Sequence, residues 1–460
     1  MGEAARHKAG QGDSRKMPVE GGRALSRLDA RTIAAEVIER VLGDAAYGAA
    51  ALNASLERYP ALDEHTRAQT TELVYTALRT KRNLLSRLEN YAPKGLPKDS
   101  VFLSHLLVAA TQILVLDHRT AAVAVDVAVT QIGALRGPRM AGFANAILRK
   151  LTLEREGFDR AGALRDNCPP WLYDALKNTV GTPEAELLLG ISQPQTGELG
   201  TREGHPIALR LRKEGEVPKW LVHCERGRHS PYCRIVRGVG DPRKLIGYAG
   251  GRFVIQEEGA QLIALAVNAQ PGDVILDACA GRGQKTTLLA EQVSPNGSIC
   301  ATDLHPRKLE ALAEELQRLG LCGVTTAAVD WSRGSGTVAT LFDRALVDAP
   351  CTGTGTLRKR PEIGSRLEPS DPARLGALAI TILRNVATRV RKGGTVVYAV
   401  CSVLTEEAED VVSAVADLFD LAPFEAPSVV AALGEGATMG RLLPGRHGTD
   451  GYFLAHLRVK

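Results

Sequence analysis

The chain has 460 residues, more than one ordinary domain holds, and its 44% apolar share is enough for two or three cores. Aromatics contribute only 4%, so those cores must be mainly aliphatic. The formal charge of +5 admits a polyanionic partner without requiring one, and it excludes a strongly acidic or strongly basic binding module.

Residues 1–28 are rich in Gly, Ala, Arg and Lys and poor in large apolar side chains. They read as a flexible, mildly basic tail; with no apolar h-region, they do not read as a secretory leader. No apolar run is long enough to span a bilayer, so no membrane partner is expected and a cytoplasmic location is.

Residues 29–156 carry a helical period throughout. TIAAEVIERVL places Ile33, Val37 and Val41 on one stripe, and TTELVYTALRTKRNLLSRL does the same with Leu73, Ala77, Leu84 and Leu88. VFLSHLLVAATQILVLD is nearly all apolar and predicts a central buried helix. AAVAVDVAVTQIGAL and MAGFANAILRKLTL follow, separated by the Gly-Pro break in RGPR. Five or more helices on short loops predict an all-α bundle. Arg79, Lys81, Arg82 and Arg87 cluster near one helix, and Arg136, Arg139, Arg149 and Lys150 near another. They suit phosphate contacts, but a solvated polar face is the simpler reading.

Residues 157–250 predict a small α+β linker domain. NCPPWLYDALKNTVG gives a helix after a Pro-Pro break, and IALRLRK a strand. HCERGRHSPYC holds His223, Cys224, His229 and Cys233, in a spacing that matches no common zinc pattern, so no metal is expected. Across the whole chain the eight cysteines form no CxxC pair, and reduced thiols are the natural reading.

Residues 251–460 open with FVIQEEGAQLIALAV, a strand–helix step. From Pro271 short apolar runs alternate with helical segments. DVILDACA, SICATDL, VTTAAVD, ALVDAP and TVVYAVCS are strands, and TTLLAEQV and PRKLEALAEELQRLG are helices between them. This alternation predicts a parallel, doubly wound α/β sheet with its ligand edge at the strand C-termini. At the first of those ends lies DACAGRGQKT, where Gly281 and Gly283 allow close backbone approach and the following helix offers free N–H groups. Lys285 adds a charge suited to a carboxylate. Asp303 ends the second strand, where an acidic side chain holds ribose hydroxyls, and Asp330 ends the third, within reach of an adenine. Together they predict a nucleoside ligand.

The fourth strand ends in DAPCTGTGT and the fifth in VCSVLTEE, bringing Asp348, Cys351 and Cys401 to the same edge. Cys279, Cys300 and Cys322 read as core thiols, but these two cysteines sit where strands open into loops. A thiolate there suits methylation of pyrimidine C5. Attack at C6 makes C5 enamine-like, C5 takes a methyl group, and loss of the C5 proton with expulsion of the thiol restores the base. A carboxylic group near N3, here Asp348, stabilises the ring during attack. Position alone does not say which cysteine attacks.

DACAGRGQKT, VDAPCTGTGTLRKRPEI and YAVCSVLTEEAEDVV resemble the cofactor, Pro-Cys and second-Cys motifs of the RNA 5-methylcytosine methyltransferases. RLLPGRHGTDGYFLAHL resembles that family's closing segment, and the helical region resembles a NusB-type RNA-binding domain. The combination resembles the Sun/RsmB branch. It implies S-adenosyl-L-methionine as cofactor and RNA as partner: a cytosine of 16S ribosomal RNA, free or in an assembling small subunit, with the chain acting as a monomer. Within that resemblance Cys401 is the nucleophile, Cys351 promotes product release and Asp348 contacts the base. Ala278, Cys279, Ala280, Gly281, Arg282, Gly283, Lys285, Asp303, Arg307 and Asp330, with Asp348, fall on the cofactor side. The chain departs from the family pattern at Gly281–Gln284, where Ala-Pro-Gly-Gly is usual, at EIGSRL, which lacks a tryptophan, and at Val400, where Thr is commoner. A transfer-RNA substrate and a non-catalytic RNA-binding assembly factor are the competing readings; binding of the cofactor separates the latter from an enzyme.

Overall fold

Capping carboxylates and apolar stripes set the first helices. Asp29, Asp63 and Asp99 each accept a backbone N–H of the first turn, at 3.2, 2.8 and 2.9 Å, and so start α1 (Ala30–Gly43), α3 (Glu64–Asn90) and α4 (Ser100–Ala110). Between the first two lies α2 (Gly48–Arg58), and after α4 come α5 (Ala121–Arg136) and α6 (Pro138–Leu151). Gly137, at φ +84°, followed by Pro138 at the first helical position, breaks α5 from α6. The computed structural model describes residues 29–116, 120–192, 206–213 and 215–460, and the tail expected over 1–28 lies outside them. Ile33, Val37, Val41, Leu73, Ala77, Leu84 and Leu88 are all buried, as their spacing predicts. α4, buried along most of its length, runs into a buried π-turn at Thr111–Val115.

Three short helices follow, α7 (Arg160–Asn167), α8 (Pro170–Val180) and α9 (Thr182–Leu189). Asn167 ties α7 to α3, accepting the Arg82 N–H at 3.0 Å and donating to Leu78 O at 3.2 Å. Then β1 (Ile207–Leu211), α10 (Lys219–Val222), β2 (Glu225–Arg226), β3 (Cys233–Val236) and β4 (Phe253–Ile255) build an antiparallel sheet in the order β2-β3-β1-β4. This sheet runs past residue 250, because β4 pairs with β1 before the chain enters α11 (Glu258–Ala266).

The remaining elements are β5 (Val274–Asp277), α12 (Gln284–Val293), β6 (Ser298–Asp303), α13 (Pro306–Leu319), β7 (Val324–Ala328), β8 (Phe342–Asp348), α14 (Asp371–Ala387), β9 (Val390–Val400), α15 (Glu409–Ala414), β10 (Phe419–Leu421), α16 (Pro427–Leu433), β11 (Met439–Leu442), α17 (Pro444–His447) and β12 (Tyr452–Val459). They form a sheet ordered β10-β12-β9-β8-β5-β6-β7, with β11 also on β12. β5 to β9 are parallel, as the alternation predicts. β12 runs antiparallel to its neighbours β9, β10 and β11, so the sheet is mixed. The physical reason is length: a parallel strand needs a crossover of a dozen residues or so, and only the short α17 separates β11 from β12. The small antiparallel sheet is anchored to α12 by Arg210 of β1. Its fully buried guanidinium donates to Gln256 Oε1 at 2.7 Å, Glu291 Oε1 at 3.0 Å and Thr287 Oγ1 at 2.9 Å.

The basic residues of α3 are not all on a solvated face. Arg79 donates to Arg358 O at 3.0 Å, and the Lys81 ammonium to Ser365 Oγ at 2.9 Å. Burial lowers the pKa of both. Arg366 reaches back to Ala46 O at 2.6 Å, and Glu362 accepts the Gly48 N–H at 3.0 Å. The helical bundle is thus docked on the loop that follows Cys351, a contact between distant segments that a local periodicity cannot signal.

Candidate active site

The strand order reverses at β5, because β6 and β7 extend to one side and β8 and β9 to the other. The crevice at such a switch point, beyond the strand C-termini, is where open α/β sheets bind ligands. The loop after β5 is splayed across it. Ala278 N–H donates to Leu346 O of β8 at 2.9 Å and Ala280 N–H to Thr302 O of β6 at 2.8 Å. Gly281 and Gly283 have φ +59° and +82°. A Cβ at Gly283 would meet Leu312 Cδ1 at 2.0 Å, so glycine is required there both for conformation and for space. Arg282, the departure from the family pattern, is exposed. Cys279 is half-buried within this loop, where burial and then Asp277, Asp348 and Asp303 raise its thiol pKa.

Asp303 ends β6 and shapes this loop, accepting Gly281 N–H at 3.0 Å and His305 N–H at 2.8 Å. Leu304 beside it is 56% exposed at the same edge, an apolar surface that the sequence reading missed. Asp330 is placed differently from its predicted position at a strand end: β7 stops at Ala328, and the Asp330 carboxylate accepts Ser332 N–H at 3.0 Å and Ser332 Oγ–H at 2.5 Å. Arg307 is exposed in the first turn of α13. Asp277 is buried, one oxygen bound to Thr286 Oγ1 at 2.7 Å and the other without a partner. Burial pushes its pKa up to about 7.

Lys285 projects from α12 to Asp348, with Nζ 2.7 Å from Oδ2. Burial opposes charge on this lysine, but the neighbouring carboxylate prevails and holds its pKa above the usual value. β8 and β9 pair in register to Asp348 and Ala399, with a further bond from Ala349 N–H to Ala399 O at 2.9 Å. Cys351 and Cys401 follow directly, and their sulfurs lie 3.3 Å apart. The two thiols differ in surroundings. The contact with Cys351 lowers the Cys401 pKa; burial and Asp348 oppose this, and Lys285 and Arg360 reinforce it. The same contact raises Cys351, with burial, Glu407 and Asp348 acting in the same direction. Lys285 and Arg360 thus favour negative charge on Cys401, while Glu407 opposes it on Cys351.

The C-terminal segment closes over this pair. Gly355 N–H donates to Cys401 O at 3.0 Å and Gly451 N–H to Gly355 O at 2.8 Å. Asp450 accepts from Lys359 Nζ at 2.7 Å, and its own N–H donates to the half-buried Glu257 at 3.1 Å. A Cβ at Gly355 would lie 1.9 Å from Gly451 O. Gly355→Ala is therefore expected to destabilise the fold by about 1–3 kcal/mol, as overpacking does. Thermal melting checks this, and an unchanged melting temperature would refute the close packing.

A central parallel sheet with an antiparallel strand at one end, a glycine loop at the switch point and an acidic residue ending the next strand define a Rossmann-like methyltransferase domain. Residues 264–458 match the model of the 16S rRNA methyltransferase RsmB/F family, and residues 28–153 that of the NusB family. The chain is 32% identical to ribosomal RNA small subunit methyltransferase B of Thermus thermophilus, over 88% of this chain and 92% of that one. It is 34% identical to the putative methyltransferase Rv1407 of Mycobacterium tuberculosis, over 93% and 96% respectively. Among solved structures, PH0851 superposes with a TM-score of 0.78 at 21% identity, covering 94% of this chain and 99% of that one, a likeness of fold. The chain belongs to the RsmB/F family of S-adenosylmethionine-dependent rRNA methyltransferases and carries a NusB domain at its N-terminus.

The residues present fit that cofactor. Its sulfonium and ammonium groups call for carboxylates, and Asp277, Asp303 and Asp348 all surround the glycine loop. The unpartnered buried oxygen of Asp277 is a ready acceptor. Among the described residues no helix is long and apolar enough to cross a membrane.

Proposed function

We propose that this protein methylates C5 of a cytosine in small-subunit ribosomal RNA through a covalent bond between Cys401 and C6. The observation that carries this reading is the 3.3 Å cysteine pair at the strand-end edge, flanked by the Lys285–Asp348 ion pair. Cys401, facing Lys285 and Arg360, carries the thiolate and adds to C6. Asp348 hydrogen-bonds the base near N3, and Lys285 fixes its carboxylate. The bound cofactor supplies the methyl group that C5 takes. When the C5 proton passes to water, the C5–C6 double bond re-forms, the C6–S bond breaks with its electron pair on Cys401, and the Cys351 thiol stabilises the departing sulfur by hydrogen bonding to it.

On the cofactor side, residues 278–283 form the cradle and Asp303 accepts from the ribose hydroxyls. Asp330 acts by shaping the turn at the adenine end, since its carboxylate already serves Ser332. Residues 29–156 hold RNA near the mouth, where Arg360 is exposed. A single-stranded or loop segment is the substrate, because the target base must leave its stack. Bisulfite sequencing of total RNA with and without the gene tests the reading. One cytosine of the small-subunit RNA is expected to lose its protection from conversion, and an unchanged protection pattern would overturn it.

A further inference from the structure

Beyond the Asp348–Ala399 rung the regular β-ladder ends, and the backbone bonds from Ala349 N–H to Ala399 O and from Gly355 N–H to Cys401 O tie the two cysteine loops only on either side of Cys351. Yet the two sulfurs lie in contact. Behind them sits Glu407, 1% exposed. One of its carboxylate oxygens accepts Thr352 N–H at 2.6 Å, and the other accepts the hydroxyls of Thr352 and Ser402, both at 2.5 Å. Thr352 directly follows Cys351, and Ser402 directly follows Cys401. The clamp extends through a hydroxyl relay, with Ser402 Oγ 2.9 Å from Thr354 Oγ1, which accepts Val403 N–H at 3.2 Å. Glu407 is itself fixed, because the Tyr398 hydroxyl of β9 donates to its carbonyl at 2.6 Å.

We propose that Glu407 is a positioning residue that sets the spacing and facing of the Cys351–Cys401 pair by holding the residue behind each cysteine. A buried carboxylate is costly unless fully hydrogen-bonded. This one meets that demand with donors from both loops, so neither loop can shift without leaving it under-satisfied. Apolar packing alone would leave the loops free to slide, since dispersion has no direction. Glu407 acts through the two cysteines and lies behind them, away from the reacting base. The inference rests on the proposed pairing of the cysteines in catalysis, but its test does not depend on their chemical roles.

That test is oxidative cross-linking of the full chain by diamide. The Cys351 and Cys401 thiols form one S–S bond, and their two protons and two electrons pass to the N=N bond of diamide, which becomes a hydrazine. Peptide mapping follows the 351–401 cross-link over time. In Glu407→Ala the cross-link is expected to form about tenfold more slowly, the scale of a sub-ångström to ångström misplacement. Glu407→Gln, which retains an oxygen acceptor and the side-chain shape, is expected to recover most of the rate. Methyl transfer by Glu407→Ala is expected to lose kcat with KM for the cofactor unchanged, and Glu407→Gln to recover most of it. A wild-type cross-linking rate in folded Glu407→Ala, judged by melting temperature and cofactor binding, overturns the proposal. If the alanine variant does not fold, Ser402→Ala removes one leg of the clamp, and an unchanged rate there overturns the proposal equally. If RNA methylation proves to target another base, the cross-linking result stands apart from that failure.

Discussion

Cys401→Ala is expected to lose methyl transfer by about 10⁴-fold or more, the scale on which removal of a covalent nucleophile acts, and to form no adduct with RNA. Cys351→Ala is expected to turn over poorly for a different reason, accumulating an RNA–protein adduct that survives denaturing electrophoresis. The asymmetry follows from the surroundings of the two sulfurs. Lys285 and Arg360 favour negative charge on Cys401, whereas Glu407 opposes it on Cys351; Asp348 opposes it on both and does not separate them. In the proposed mechanism a thiolate attacks, and these surroundings favour Cys401 for that role. The Cys351 thiol, its sulfur 3.3 Å away, then hydrogen-bonds to the Cys401 sulfur as it leaves in the proposed mechanism. Incubating each variant with substrate RNA and cofactor and scoring the shifted band decides the matter, and an adduct with Cys401→Ala but not with Cys351→Ala would exchange the roles.

The location of this pair was legible in the sequence because two short apolar runs, ALVDAP and TVVYAVCS, end at the residues in question. In a parallel sheet every strand end lies on one edge. The in-register pairing of β8 and β9 then needs only a few further residues to bring Cys351 beside Cys401. Which cysteine attacks was not legible, since that depends on where Lys285 and Arg360 point. Lys285 follows the glycine loop in sequence and so reads as a partner of the cofactor's carboxylate, but in the fold it turns to Asp348. Arg79 and Lys81 read as a solvated face because their partners, Arg358 and Ser365, lie almost three hundred residues away. Asp330 reads as a strand end because VTTAAVD is continuous in pattern, whereas the carboxylate bends back to Ser332 in an Asx-type turn. Glu407 sits in TEEAED, where nothing local separates a buried clamp from an exposed acidic run. The three-residue β10 was hidden for the same reason as the docked bundle: it gains its identity from β12, far along the chain.

Removing the lysine of the ion pair provides the second large effect. Lys285→Ala is expected to cut methyl transfer at neutral pH by about 100-fold, a value below the upper range for breaking a buried pair because Asp348 retains some solvent access. The effect has two parts with different signatures. Asp348 loses the ammonium at 2.7 Å that fixes its carboxylate toward the base. Cys401 loses a cation that favours its thiolate. Without that cation the thiol pKa rises, the thiolate fraction at a given pH falls, and the acidic limb of the pH–rate profile moves to higher pH. Part of the lost rate should therefore return as the pH is raised, and Lys285→Arg, which keeps the charge, should retain the wild-type limb while losing some rate to altered geometry. Cofactor binding measured by calorimetry separates this role from the one read off the sequence. A weakened Kd for S-adenosylmethionine with an unmoved limb would return Lys285 to the cofactor's carboxylate. A preserved Kd with a shifted limb places it beside the nucleophile.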